Sequence, residues 1–197
     1  MNAKQKTIVI AISGRKGVGK DWLASKIWSN IKPSHTAPVV FHFADAIREV
    51  MKGYGFNDTH LTEGKDRANP LCKPFGCKTP REVMIDIGMS HRAKYGDDFW
   101  ANQLVSKIGF RWDKVIVADM RFPIELSKLK EKYAKVIHIH VVSRGPSGFT
   151  YHARYDQTGD NITESWNPNP DIFYINNRED SGRNPIDFTE LNNLILK

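Results

Sequence analysis

Apolar and polar positions alternate between two periods along this chain. Thr7-Ile-Val-Ile-Ala-Ile-Ser13 is β-branched and apolar throughout, as a strand covered on both faces requires. Beyond a glycine-rich segment, Leu23, Ile27 and Ile31 recur at intervals of four, one face of a helix. The change of period repeats: Val39 to Phe43 predicts a second strand ending at Ala44-Asp45, and Ala46 to Tyr54 a helix with Ile47, Val50 and Met51 on one face. Asn57 to Lys78 is polar and rich in turn formers, a long excursion without periodicity. Thr79-Pro80-Arg81-Glu82 then starts a helix: Thr79 caps it, Pro80 suits the first helical position and Glu82 completes a capping box. That helix carries Val83, Met84 and Ile87 before Gly88.

Around Tyr95 one helix closes and another opens, with Asp97 as its cap and Trp100, Leu104 and Ile108 as its apolar stripe. Lys114 to Asp119 is a third strand, Pro123 starts a helix running to about Tyr133, and Val136 to Val142 is a fourth strand. Asp171 to Asn177 gives a short fifth strand, and Phe188 to Leu196 the terminal helix. Strands alternating with helices predict a three-layer α/β fold: a five-stranded parallel sheet with helices on both faces. At 197 residues, without repeats or an interdomain linker, the chain reads as a single domain, 1–197, with an excursion over about 45–110 and a short lid over about 144–165.

The junction between the first strand and the first helix carries the clearest chemistry. Gly14, Arg15, Lys16, Gly17, Val18, Gly19 and Lys20 fit the phosphate-loop pattern in its required strand–loop–helix setting. Glycines let successive N–H groups turn inward towards a phosphate. The helix N-terminus adds partial positive charge, and Lys20 can reach the β- and γ-phosphates of a bound nucleotide. Where the pattern expects a Ser or Thr to ligate magnesium stands Asp21. A carboxylate beside a polyphosphate predicts a strong Mg²⁺ requirement; the plainer reading is a helix cap.

Ligands of open parallel sheets sit beyond the carboxyl ends of the strands. Asp45 and Arg48 fall there, and Asp45 reads equally well as a helix cap. Asp119 closes the third strand and is followed by Arg121 and Glu125, three charges at one strand-to-helix junction. Arg81 and Arg92 are either site residues or solvated surface. His138 and His140 share a strand face and read as satisfied sheet residues. Arg144 leaves the fourth strand and Arg154 follows ten residues on, the spacing of a lid that could close guanidinium groups over a phosphoryl group.

Composition changes this picture little. Apolar content of 40% and charged content of 26% are ordinary for a globular protein. No apolar run approaches the roughly 20 residues of a membrane span. The N-terminus leads straight into a core strand and leaves no room for a signal peptide, which predicts a cytoplasmic protein. Cys72 and Cys77 are too few for a four-ligand zinc site and read as free thiols. The balance of 29 basic and 22 acidic residues gives a charge of +7 and a pI near 9.4, suited to an anionic ligand. The basic residues are scattered and form no run of five, so small phosphorylated ligands account for the charge without a nucleic acid.

Taken in order, Gly14 to Asp21, Phe43-Ala44-Asp45…Arg48, Thr79 to Glu82, Ile87-Gly88…Arg92, Asp97 to Trp100, Asp119 to Glu125, Thr163-Glu164-Ser165 and Asp171…Ile175-Asn176 resemble the bacteriophage deoxynucleoside monophosphate kinases, within the phosphate-loop nucleoside monophosphate kinase superfamily. Phosphomevalonate kinases share the Gly-Lys-Asp ending and an Ala-Asp after the second strand. The resemblance implies transfer of the γ-phosphoryl group of ATP to a deoxynucleoside 5′-monophosphate in the cytoplasm, of the host if phage-encoded. It implies that Gly14 to Lys20 hold the ATP phosphates and that Asp21 and Asp119 serve Mg²⁺. Asp45, Arg48, Arg81, Arg92, Trp100, Asp119 and Arg121 would line the acceptor pocket, with Trp100 touching the base. Lys20, Asp21, Arg121 and the lid cations Arg144 and Arg154 would act in catalysis. A kinase for another small phosphorylated metabolite and a DNA-associated ATP-binding module are the alternatives, and a homodimer stays open.

Overall fold

The computed structural model describes residues 4–15, 17–31, 39–109, 111–144, 150–151, 169–177 and 188–196. Its centre is β1 (Gln5–Ser13), in which Val9, Ile10, Ala11 and Ile12 are wholly buried, as an apolar run without alternation requires. Parallel neighbours flank it: β3 (Lys114–Met120) on one side, β4 (Tyr133–Arg144) on the other, and β2 (Val39–Phe41) outside β3. These four strands are the body of the sheet. Ile172–Asn177 extends it in parallel along the second half of β4, and the two-residue Thr150–Tyr151 pairs antiparallel with the end of β4. In chain order these are β6 and β5. The sheet is thus six-stranded where the sequence predicts five parallel strands, the addition being a pairing too short to show in a hydrophobic pattern.

Alternate residues of the strands serve two apolar layers. Ile10, Ile12, Ile116 and Ile139 pack with Leu23, Ala24 and Ile27 of α1 (Lys20–Asn30) and Leu191 of α7 (Thr189–Leu196). Val9, Ala11, Val115 and Val117 pack with Ala101, Leu104 and Ile108 of α5 (Phe99–Ile108) and Leu129 of α6 (Pro123–Lys132). Helices therefore cover both faces. No helix among the described residues is long and apolar enough to cross a membrane.

A third apolar cluster lies apart from the sheet. Met51 of α2 (Ala44–Gly53), Leu61 of α3 (Asp58–Leu61), Val83 and Ile87 of α4 (Pro80–Tyr95) and Trp100 of α5 enclose Phe56 and Cys72. The excursion from Asn57 to Lys78 is accordingly structured. Asn57 and His60 form a reciprocal cap on α3, and the Asn69 carboxamide accepts from Leu71 N–H to start a 3₁₀ turn over Pro70–Phe75. Its few apolar residues act as single plugs, which leaves no period to read. Cys72 and Cys77 are free thiols.

Several boundaries move from their predicted places for identifiable reasons. β2 stops at Phe41 because the N–H groups of Phe43 and Ala44 turn away from the sheet to Asp119, so α2 starts two residues early. α4 has the predicted capping box of Thr79 and Glu82 and continues through Gly88 to Tyr95. Gly88 lies mid-helix, its carbonyl accepting from the Trp100 indole at 3.0 Å. Asp98, not Asp97, precedes α5, and its carboxylate pairs with Lys128 at 3.1 Å. Of the predicted lid, 145–149 and 152–165 lie outside the described residues, and with them Arg154.

If the excursion is part of the folded body, truncating a plug must cost as much as truncating any core residue. Leu61→Ala, at a wholly buried site, is expected to lower stability by about 2–5 kcal/mol in urea unfolding, with one cooperative transition retained. A change below about 0.5 kcal/mol would show that the third cluster does not stabilise the fold.

Candidate active site

The glycine loop leaves the sheet between β1 and β4, and its first residue is sterically dictated. Gly14 has φ +142°, and a Cβ on it would overlap the backbone carbonyl of Val141 in β4. Gly17 (φ 78°) and Gly19 (φ 99°) also occupy the left-handed half of the map that favours glycine. Val18 is buried and anchors the outer curve, while Arg15 is half-buried; Lys16 lies outside the described residues. Gly19 caps α1, its carbonyl accepting from Leu23 N–H at 2.9 Å. Lys20 folds back across the loop and donates from Nζ to the carbonyls of Gly14 and Arg15, each at 2.8 Å. Only 8% of it is exposed, so its ammonium is a fixed charge inside the loop.

Behind the loop, Ser13 Oγ lies 2.7 Å from His138 Nε2 and 2.8 Å from His140 Nδ1. Burial pulls the His138 pKa down to about 4, so this ring is neutral near pH 7. Both histidines are sheet residues held on Ser13, as their shared face predicts.

Asp21 stands one residue into α1 with an exposed side chain, and no side chain caps that helix; the cap reading is corrected. Its carboxylate faces His42, with Oδ1 3.6 Å from Nε2. The contact raises the His42 pKa and lowers that of Asp21; Asp119 and Asp45 add to the effect on His42. Sequence reasoning missed His42. The one available signal was a polar residue interrupting the apolar run Val-Val-Phe-His-Phe immediately before the Ala-Asp.

Asp45 lies inside α2, whose cap is Phe43 without a side-chain bond, so the cap reading is corrected. It accepts from His42 N–H at 3.1 Å and from Arg48 Nη1 at 2.8 Å. Asp119 accepts from Phe43 N–H at 2.6 Å and Ala44 N–H at 3.2 Å, which binds the end of β3 to the start of α2. Lys20, Asp21, His42, Asp45, Arg48 and Asp119 thus form one continuous group beyond the carboxyl ends of β1, β2 and β3.

A second group belongs to the excursion. Arg81 pairs through both Nε and Nη2 with Asp66, and its N–H donates to the Lys65 carbonyl at 2.9 Å. The charges of Arg81, Arg48, Asp66 and Asp21 all act on Lys65, which connects this group to the first. Arg92 lies elsewhere, 3.5 Å over the Phe122 ring and 3.6 Å from Glu125. Glu125 is 3% exposed and accepts from the N–H groups of Arg121 and Phe122 at 2.7 and 2.9 Å. Burial pushes its carboxyl up to about 7.

Trp100, assigned to a base by resemblance, is 4% exposed and packs against His91 and Phe99 in the third cluster, a core position rather than an open stacking face. Arg144 ends β4, with its side chain outside the described residues. Among the described residues no three His, Cys, Asp or Glu side chains form a metal cage. Magnesium, which keeps waters and substrate phosphates in its shell, asks for only one or two protein carboxylates, and exposed Asp21 beside the loop meets that requirement.

Comparison with protein-family models finds no match, and none of the curated proteins matches the chain. Among solved structures, a sugar kinase from Janibacter sp. HTCC2649 aligns at 15% identity over 87% of this chain and 85% of its own, with a TM-score of 0.37. A gluconokinase from Sinorhizobium meliloti 1021 aligns at 10% identity over 88% and 84%, with a TM-score of 0.39. Likeness this loose does not bear on function.

Glu125 yields a prediction independent of any substrate. Its carboxyl holds a proton in the fold to higher pH than the ordinary 4.5, so between pH 4.5 and about 7 unfolding releases a proton and stability falls as pH rises. Relative to wild type, Glu125→Gln should therefore gain on the order of 2 kcal/mol between pH 5 and pH 8 in urea unfolding. Parallel stability curves for the two proteins would refute a raised carboxyl.

Proposed function

We propose that this chain is a Mg²⁺-dependent phosphotransferase that moves the γ-phosphoryl group of ATP onto a small acceptor already carrying a phosphate, taken here as a deoxynucleoside 5′-monophosphate. One observation carries the reading: a glycine loop clasps a buried Lys20, and the charges of Arg48, Arg81 and the neighbouring Asp21 meet at Lys65. The ordered motif set described above points to the deoxynucleotide acceptor.

In the reaction the bond between the γ-phosphorus and its bridging oxygen breaks and a bond to an acceptor phosphate oxygen forms, giving ADP and a diphosphate. The acceptor oxygen is already anionic, so the chemistry needs alignment and charge neutralisation rather than a strong base. The loop orients the triphosphate along α1, and Lys20 meets the charge that grows on the transferring group. Bound Mg²⁺ supplies further neutralisation, with Asp21, and Asp119 behind it, as the carboxylates offered. Arg48 and Arg81 hold the acceptor phosphate, and Arg144 and Arg154 belong to the segment that would exclude water.

A kinase for another small phosphorylated metabolite is the second reading. The burial of Trp100 favours it, by removing the ring assigned to a base.

ATP consumption against a panel of ribo- and deoxynucleoside monophosphates, phosphorylated alcohols and single-stranded DNA decides among these. Stimulation by deoxynucleoside monophosphates is expected; stimulation by DNA alone would sink the kinase reading. Lys20→Ala should lower kcat by at least about 100-fold with the melting temperature of the nucleotide-free protein little changed, and near-normal turnover would remove the loop from the mechanism. Arg81→Ala should raise KM for the acceptor more than KM for ATP; equal effects would make Arg81 a structural residue.

A further inference from the structure

Lys65 lies in a stretch the sequence leaves without a role, and the fold fixes its backbone at both ends of a turn. Gly64 N–H donates to the Thr59 carbonyl at 2.9 Å, and Arg67 N–H to the Gly64 carbonyl at 2.9 Å. The Lys65 carbonyl accepts from Arg81 N–H, one of the donors that the first turn of α4 cannot satisfy internally. Lys65 is therefore tied to the helix start that also presents Arg81, and it is only partly exposed.

Arg48 is paired with Asp45 and Arg81 with Asp66, whereas no hydrogen bond or ion pair among the described residues holds the Lys65 ammonium. The charges of Arg81 and Arg48 act on that partly buried ammonium against those of Asp66 and Asp21. The Arg48 Nε–H is also buried without an acceptor among the described residues, although Nη1 of the same guanidinium is satisfied. An ammonium that no hydrogen bond holds, within the field of a guanidinium with an unsatisfied N–H, suits an oxyanion. The field of Asp21 reaches the same ammonium from the side of the glycine loop.

We propose that Lys65 is a substrate ligand that completes, with Arg48 and Arg81, a phosphate site on the excursion and faces the glycine loop across it, so that one ammonium serves both the acceptor phosphate and the group being transferred. This deepens the kinase reading and rests on it for the identity of the anion, while the cation site itself stands on the arrangement of these residues.

The test separates the two levels. Inorganic phosphate is titrated by calorimetry into wild type, Lys65→Met and Lys65→Arg, each saturated with magnesium–ADP so that the glycine loop is filled. Lys65→Met should weaken phosphate binding at least about tenfold and Lys65→Arg should restore most of it, with equal melting temperatures because the fold uses only the backbone of Lys65. In turnover, Lys65→Met should raise the acceptor KM and lower kcat while leaving the KM for ATP unchanged. Phosphate binding that is absent in wild type, or equal in wild type and Lys65→Met, overturns the proposal. If Lys65→Met loses phosphate but wild type phosphorylates no deoxynucleoside monophosphate, the anion site stands and the substrate assignment fails.

Discussion

The architecture of the site depends on one close approach, that of Gly14 to the backbone of Val141. The loop can leave β1 at this level only if its first residue has no side chain, since a Cβ would occupy the space of the Val141 carbonyl. The approach lays the loop against β4 and directs its carbonyls inward, where Lys20 finds two of them. Ser13, one residue earlier, is held by both histidines of β4, so the exit point is fixed by packing on one side and hydrogen bonds on the other. A loop anchored in this way pays its ordering entropy on folding rather than on meeting a triphosphate.

The carboxylates near the glycine loop and the helix starts have two uses. Asp119 and Glu125 each accept two backbone N–H groups at the start of a helix, α2 and α6 respectively, donors that a helix cannot satisfy itself. A hydrogen bond to a carboxyl acceptor contributes on the order of 1 kcal/mol and more when the acceptor is charged, so these acids help to set where the helices begin. Substituting Asp119 would therefore disturb the start of α2, and with it His42, Asp45 and Arg48, before it disturbed any metal. Asp21, exposed and uncommitted to a backbone donor, is the acid freest to serve a ligand.

What the sequence disclosed was what depends on local physics. A β-branched run, a glycine loop, the Thr79–Glu82 cap and the four-residue stripe of α1 are each settled within a few neighbours, and the structure has them where the pattern places them. The extent of β2 was not legible, because it is set by Asp119, a residue remote in the chain. Nor was the continuation of α4 through Gly88, where a propensity against helix is overridden in a helix whose middle is held by Trp100. His42 and Lys65 escaped for the same reason: a lone polar residue in an apolar run and a lysine in a turn carry no period, and only the fold shows which charges they meet.

The third apolar cluster explains why Arg48 and Arg81 sit as they do. α2, α4 and α5 bury Met51, Val83, Ile87 and Trp100 against one another, apart from the two layers of the sheet. Arg48 stands on α2 and Arg81 at the start of α4, so their separation is set by side-chain packing inside this cluster. Trp100 braces it, its ring among His91 and Phe99 and its indole N–H on the Gly88 carbonyl in the middle of α4. Lys20 and the glycine loop, by contrast, are set by the sheet. The glycine loop and the cations Arg48 and Arg81 thus belong to separate packing units that share α5, and their relative placement is decided where that helix meets both.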